Sequence, residues 1–311
     1  MTGLTSPPRA PNMTTFRAYS GSTYTIPLPE GHRFPMYKYA GVRYILEQSG
    51  LEILEPSRPS WEQVERVHTH EYLRKLRFGD LEPKELRLLG FPWSEHLVER
   101  ALRAAGGTLQ ASFDALEQGL GINLAGGTHH AYPDHGEGFC TLNDVAIAAK
   151  ELLESNRVSR IFVCDLDVHQ GNGTAAIFQD EPRVFTLSVH GARNYPFHKA
   201  TSSLDIGLGD GVGDTDYLEM LESQVLPALR AFEPQVVFYL AGVDVLERDR
   251  FGKFALSPDG AAERDRRVFQ ACRDLHIPVV SLMSGGYNKD HAVTVQAHAR
   301  TVQQALDVFE R

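Results

Sequence analysis

The chain has 311 residues, 42% apolar and 23% charged, which suits one large α/β domain or two smaller ones. A formal net charge of −9 argues against a dedicated nucleic-acid binder, and no apolar run approaches the roughly 18 residues of a membrane helix. Cys140, Cys164 and Cys272 are widely spaced with no CxxC pair, so a reducing compartment without a disulfide frame is expected.

Residues 1–20 are proline-rich, lack the apolar core of a signal peptide and read as a disordered tail, with Met13 an alternative start and the cytoplasm the default location. Residues 21–50 read as a short strand, a loop and a helix from about Tyr37. PSWEQVERVHTHEYLRKLR has a helical period after a proline start, and SEHLVERALRAAGGTLQASFDAL is another helix; Trp61 and Trp93 are expected to pack helices. GINLAGGTHHAYPDHGEGFC is a short apolar strand breaking into a Gly- and His-rich loop, and NDVAIAAKELLES is a helix capped by Asn143 or Asp144. Regular alternation follows. RIFVCDLD, VFTLSVHG, QVVFYLAGVD and IPVVSLMSGGY are strands. GNGTAAIFQ, TDYLEMLESQVLPALRAF (capped by Asp214 or Thr215), SPDGAAERDRRVFQACRDL and DHAVTVQAHARTVQQALDVF are helices. The pattern implies one α/β domain over 21–311, with a mostly parallel central sheet and helices on both faces.

In open parallel sheets the ligand site lies at the carboxyl ends of the strands. GGTHH, DLDVH, SVHG, AGVD and SGGY all sit at such ends, so five distant segments deliver polar residues to one edge. Asp167 and His169, at i and i+2 on a strand, point the same way, and Asp244 offers a third ligand from a neighbouring strand. Three protein ligands and an open position are the plan of a catalytic zinc site. Two carboxylates and one imidazole are harder than the usual zinc set, which leaves Fe2+ and Mn2+ open. The plain alternative is an acidic strand end with capping carboxylates. His129 and His130, after Gly126 and Gly127, suit a base and a charge stabiliser, or else a surface pair. Tyr287, after Ser284-Gly285-Gly286, suits a donor to an oxyanion, or else a core-edge tyrosine. Cys140 and Cys164 read as buried, inert thiols. His190 either lines the site or caps a strand. His32 and Arg33 read most simply as an exposed loop, with the pocket rim as the alternative.

GGTHHAYPDHGEGFCTLNDVAIAA, CDLDVHQGNGT, LAGVDVLERDRFG and SGGY, strengthened by HRFPMYKY, HTHEYL and LGFPWS, resemble the zinc-dependent histone deacetylase family. They resemble the branch that contains class IV and many bacterial deacetylase-like proteins, and the resemblance runs from about residue 25 to the C-terminus. The resemblance implies an arginase/deacetylase-like fold. It makes Asp167, His169 and Asp244 the Zn2+ ligands, His130 the general base, His129 its electrostatic partner, and Tyr287 the group that polarises the amide carbonyl. It makes Gly138 and Phe139 an acyl-lysine tunnel wall, with Tyr195 in NYPF as the facing aromatic. Asp165 stands behind His129, and Asn172 stands behind His130. A structural K+ is implied near Asp165, with backbone oxygens of Asp167, His169, Ser188 and Val189 as its other contacts.

Two departures from the family pattern matter. Many relatives carry Asp at the place of Asn172, so His130 here has less charge behind it and its pKa should be less raised. The loop aspartate that grips the substrate backbone in several relatives has no match around Asp80 or in LGFPWSEH. The expected reaction is metal-assisted hydrolysis of an N-acyl-lysine in a protein. The alternatives are a deacetylase of small amines such as acetylated polyamines, which the acidic balance suits weakly, and an inactive binding or regulatory protein of the same fold. A ureohydrolase would need a two-metal set, and only one full metal site is visible. No direct nucleic-acid or membrane partner is expected, and the sequence leaves the oligomeric state open.

Overall fold

Ile161–Asp165 and Val236–Leu240 carry apolar side chains on both faces without polar alternation, as strands covered on both sides must, and every residue in them is buried. The computed structural model describes residues 16–310, and these two strands lie near the middle of its sheet. The strands are Arg17–Tyr19 (β1), Glu52–Leu54 (β2), Leu120–Asn123 (β3), Ile161–Asp165 (β4), Val184–Gly191 (β5), Leu204–Leu208 (β6), Val236–Leu240 (β7) and Val279–Leu282 (β8). Their order is β2-β1-β3-β8-β7-β4-β5-β6, and every pairing is parallel, where a mostly parallel sheet was expected. Helices cover both faces over two apolar clusters, one around Phe162, Tyr239 and Phe269, the other around Val163, Phe238 and Ile147. Parallel pairing brings the carboxyl ends of β3, β8, β7, β4 and β5 to one edge of the fold.

Several expected elements shift. The strand expected after residue 20 lies earlier, at β1, within the expected tail; residues 1–15 of that tail, and Met13, lie outside the described residues. Pro27 and Pro29 lack the N–H groups a ladder needs, so residues 21–36 form turns instead. The helical stretch after Pro59 is two helices, Trp61–Glu65 and His70–Phe78, with Thr69 accepting from the Tyr72 N–H to restart the second. The helix expected over 215–232 is interrupted. Asp214–Met220 and Leu226–Phe232 flank a π-helical turn at Leu221–Val225, where Pro227 withholds the donor that a regular i→i−4 bond requires. Gly213 is its N-cap, while Asp214 instead accepts from the Ser257 N–H and hydroxyl. The short β2, the half-exposed β6 and the helix Pro83–Leu89 carry too little apolar pattern to be anticipated.

Two buried side chains hold the edge that matters. Arg264, on the helix Pro258–Asp274, donates to the Leu166 carbonyl at 3.2 Å and the Gly242 carbonyl at 2.8 Å. It thereby ties together the chain leaving β4 and β7, and Asp265 balances its charge at 2.8 Å. His68, in the HTHEYL segment, donates from Nδ1 to the Tyr132 carbonyl at 2.9 Å and accepts the Asn143 N–H on Nε2 at 3.0 Å. The interior of the loop from His129 to Cys140, at Tyr132, and the chain just after it, at Asn143, are thus tied to one imidazole.

Burial pushes the His68 imidazole down to about 4 from an ordinary 6.5. As pH falls, the unfolded chain takes up this proton first. The stabilisation is complete above about pH 6.5, declines between 6.5 and 4, and the loss totals roughly 3 kcal/mol. Denaturant unfolding at pH 7.5 and 4.5 checks this. A His68→Phe variant, weaker at pH 7.5 because the Asn143 N–H loses its acceptor, should show a smaller drop over the interval by about that amount.

Candidate metal centre and catalytic pocket

β4 ends at Asp165, so Asp167 and His169 lie in bends beyond the strand and not on it, as i and i+2 spacing suggested. Carboxylates take over the backbone donors there. The Asp167 N–H bonds its neighbour Asp165 Oδ1 at 3.1 Å, the Val168 N–H bonds Asp244 Oδ1 at 3.0 Å, and the His169 N–H bonds Asp167 Oδ1 at 2.9 Å. This folding-in aims His169 Nδ1 at two carboxylates, 3.0 Å from Asp167 Oδ1 and 3.2 Å from Asp244 Oδ2. One ligand atom from each of Asp167, His169 and Asp244 lies within 4.8 Å of the others. Asp167 Oδ2 is occupied by the Ser284 hydroxyl at 2.8 Å and the Gly285 N–H at 2.7 Å. Asp244 Oδ2 is buried, accepts no hydrogen bond among the described residues and lies 3.2 Å from His169 Nδ1. Gly285 has to be glycine, since a Cβ there would stand 1.9 Å from Asp244 Oδ2.

The electrostatics of the cluster call for a positive centre. Burial and the neighbouring Asp167 charge push Asp244 up to about 7. Burial would lower His169, but Asp167 and Asp244 override it and hold the imidazole at about 10. A proton or a cation must sit among these three groups, because an unpaired charge at this depth costs several kcal/mol.

The Gly-rich loop after β3 is positioned by Asp144, which accepts the Gly127 N–H at 3.1 Å and the Thr128 N–H at 2.7 Å; Asn143, not Asp144, caps the following helix. The two histidines then meet different partners. His129 Nδ1 donates to Asp165 Oδ2 at 2.6 Å. Burial opposes its charge, yet Asp165 and Asp167 raise it to about 9. His130 Nδ1 donates to Asn172 Oδ1 at 2.6 Å. Burial and the charges of His129 and His169 hold His130 well below the usual range. Behind Asn172 stands a carboxylate that the motif reading missed. Asn172 Nδ2 donates to Glu137 Oε1 at 3.0 Å, the Tyr195 hydroxyl bonds the same oxygen, and His135 Nε2 lies 3.6 Å from Oε2. Burial opposes the Glu137 charge, but these donors hold its pKa below the usual value, so it is ionised. Its only signal in the sequence is the E of GEGFC.

Phe139 sits at φ 68°, held by its N–H on the Leu89 carbonyl at 2.8 Å, with the Gly138 N–H on Leu88 at 3.1 Å. HRFPM and LGFPWS supply its backing, with Phe34 at 5.4 Å and Phe91 at 5.3 Å between ring centroids. Phe139, Gly138 and Tyr195 line a cavity of about 710 Å³ that opens to solvent and reaches His130, His169 and Tyr287. A narrower cavity of about 70 Å³ continues inward past Asp167, Leu97 and Ala104. The Tyr287 phenol packs against Phe251 at 5.0 Å, and burial together with the Asp167 and Asp244 charges keeps it protonated. Lys38, fully buried and donating to the Ser284 carbonyl at 2.9 Å, supports this segment; like Arg264 and Asp144, it gave no motif signal for this role.

The remaining residues fall into place individually. His32 and Arg33 line the open cavity, against the simpler expectation of a plain exposed loop. His190 lies within β5, bonded to Ser188 Oγ at 3.0 Å, and lines neither cavity. Asp80 pairs with Arg74 at 2.7 Å, outside both cavities. Trp61 and Trp93 pack on the second apolar cluster, and the three cysteines are free and buried.

A family model described as the histone deacetylase domain matches residues 32–303. An uncharacterised protein of Picosynechococcus is 42% identical over 290 residues, covering 92% of this chain and 97% of that protein. Histone deacetylase 2 of Arabidopsis thaliana is 34% identical over 275 residues, 84% of this chain and 71% of its own length. A probable deacetylase of Archaeoglobus fulgidus is 33% identical over 266 residues, 80% of this chain and 73% of its own. Among solved structures, the HDA15 HD domain superposes with a TM-score of 0.75 at 23% identity, over 95% of this chain and 93% of that one, a likeness of fold.

Glu137 explains why an uncharged residue suits position 172. Asn172→Asp would set two carboxylates against each other and is expected to destabilise the protein by about 1–3 kcal/mol. Adding Glu137→Gln should recover most of that loss, read as a coupling energy in a double-mutant cycle of denaturant unfolding.

Proposed function

The chain belongs to the histone deacetylase family, and on that premise we propose that it is a zinc-dependent hydrolase removing acetyl or longer acyl groups from N-acyl-lysine. One observation carries this reading: a buried Asp/His/Asp cluster, one of whose carboxylate oxygens accepts no hydrogen bond among the described residues, lies at the foot of an aromatic-walled cavity, beside two histidines whose Nδ1 atoms face a carboxylate and an amide.

The donor set fits a divalent ion. Asp167, His169 and Asp244 would hold it, Asp244 Oδ2, which accepts no hydrogen bond among the described residues, would gain a ligand role, and Gly285 and Gly242 leave the room that side chains would fill. Zn2+ is the expected ion, and two carboxylates also suit Fe2+ or Mn2+. Such an ion supplies Lewis acidity, which makes water a competent nucleophile near neutral pH and polarises the acyl carbonyl. A structural K+ near Asp165, with backbone oxygens of Asp167, His169, Ser188 and Val189 as its other contacts, belongs to the same proposal, and no step is assigned to it.

The chain's own groups divide the remaining work. His130 has Nδ1 committed to Asn172, so Nε2 is the free base that takes a proton from the attacking water. The same proton passes to the amine nitrogen as the C–N bond breaks, leaving a carboxylic acid and a neutral amine; the acid then gives up its proton, so the products are a carboxylate and an ammonium group. His129, charged beside Asp165, offsets the negative charge of the tetrahedral stage. Tyr287, kept protonated, donates its phenolic hydrogen to the developing oxyanion. Phe139 and Tyr195 flank the aliphatic stem of the substrate and exclude water.

Metal-loaded protein should turn over an acetyl-lysine or long-acyl-lysine peptide faster than an acetylated polyamine. Tyr287→Phe is expected to lower kcat by about 10²–10³ and His130→Ala by about 10²–10⁴, with unchanged circular dichroism. Absence of turnover of all three substrates by folded, metal-loaded protein would overturn the reading.

A further inference from the structure

The open cavity above the catalytic groups has a sign opposite to that of the protein. The chain carries 40 acidic and 31 basic residues, yet Arg33, Arg87, Arg193, Arg250 and Lys253 all line this cavity. Among the described residues, no aspartate or glutamate lines it. The five cations come from separate parts of the fold: the 21–36 segment, the end of Pro83–Leu89, the chain after β5 and the chain after β7. They surround the opening and are not the charged face of one surface helix.

Internal pairing leaves most of this charge uncompensated. Asp210 serves both Arg193, at 3.0 Å, and Lys253, at 3.9 Å. Among the described residues no carboxylate lies within ion-pair distance of Arg33, Arg87 or Arg250. Asp249, next to Arg250 in sequence, is turned inward and accepts the N–H groups of Phe251, Gly252 and Tyr287. Arg33 is ordered over the Phe251 ring at 5.2 Å, and Phe251 packs on Tyr287. One guanidinium therefore stands two rings away from the reacting centre. Phe197, 83% exposed, adds an apolar contact point at the same rim.

We propose that the substrate is an acidic peptide: an acyl-lysine whose neighbouring residues carry carboxylates or phosphates. The inference rests on the deacetylase reading for the acyl-lysine and on the rim for the charge. A lysine-rich tail or an acetylated polyamine would bring cations against cations. The net charge of −9 pointed weakly to cationic amines, but the local field at the opening governs encounter, and that field is positive. Exposed guanidinium–carboxylate pairs are individually weak, so the effect arises from several acting together and is screened by salt.

The test compares three acetyl-lysine peptides of equal length with glutamate, serine or arginine flanks. At low ionic strength kcat/KM should fall in that order, spanning at least about tenfold and lying in KM more than in kcat. The span should shrink to about threefold or less in roughly 0.5 M salt, where the Debye length is only a few ångströms. An Arg87→Glu/Arg250→Glu variant, altered only at exposed positions, should reverse the order. Equal rates, or preference for the arginine-flanked peptide by wild type, would overturn the proposal. Should no peptide be hydrolysed, the deacetylase reading fails. Fluorescence anisotropy of the same peptides then still decides the rim: tighter binding of the glutamate-flanked peptide keeps it, and equal or weaker binding ends it.

Discussion

Two carboxylates and an imidazole buried within 4.8 Å of one another are the constraint around which this fold is arranged. Asp167 and Asp244 lie at the interior of the molecule, 1% and 0% exposed, where an unbalanced charge is expensive. The surroundings are built to make that placement tolerable. Backbone N–H groups of Val168, His169 and Gly285 and the Ser284 hydroxyl take three of the four carboxylate oxygens, and the fourth, Asp244 Oδ2, accepts no hydrogen bond among the described residues. Even the glycines serve this end, since a side chain at Gly285 would occupy the space of the Asp244 and Asp167 oxygens.

The parallel sheet delivers these groups, and buried polar side chains then fix them. Arg264 ties the carbonyls just before Asp167 and just before Val243, so the segments bearing Asp167 and Asp244 are held together. His68 and Asp144 do the same for the loop bearing the paired histidines. The two histidines, adjacent in sequence and 4.1 Å apart between ring centroids, have different partners, His129 facing the Asp165 carboxylate and His130 the Asn172 amide. Glu137 sits one hydrogen bond further back, behind Asn172, and anchors the Tyr195 wall as well.

Much of this was legible in the sequence, for physical reasons. Apolar strands fully covered by helices leave unbroken runs such as RIFVC, and their polar ends stand out against them. DLDVH, GGTHH, AGVD and SGGY are therefore assignable to one edge from the sequence alone. The element boundaries were less legible, because Asp167 and His169 reach their places through carboxylate-capped bends that imitate a strand's alternation. The supporting residues carried no pattern at all. Arg264 reads as one more charge on an amphipathic helix, and Lys38 as a surface lysine, although both are fully buried. The sign of the cavity mouth was likewise hidden, since it is assembled from single residues of four distant segments and runs against the net charge.

The account turns on an ion completing the Asp167–His169–Asp244 cluster. The most direct measurement is the metal content of the purified protein by mass spectrometry, with its thermal unfolding before and after chelation. The account predicts about one divalent ion per chain, a lower unfolding temperature once the ion is removed, and little bound metal in a folded Asp244→Asn variant. A protein that takes up no Zn2+, Fe2+ or Mn2+ at micromolar concentration, and unfolds at the same temperature with or without chelator, would contradict it.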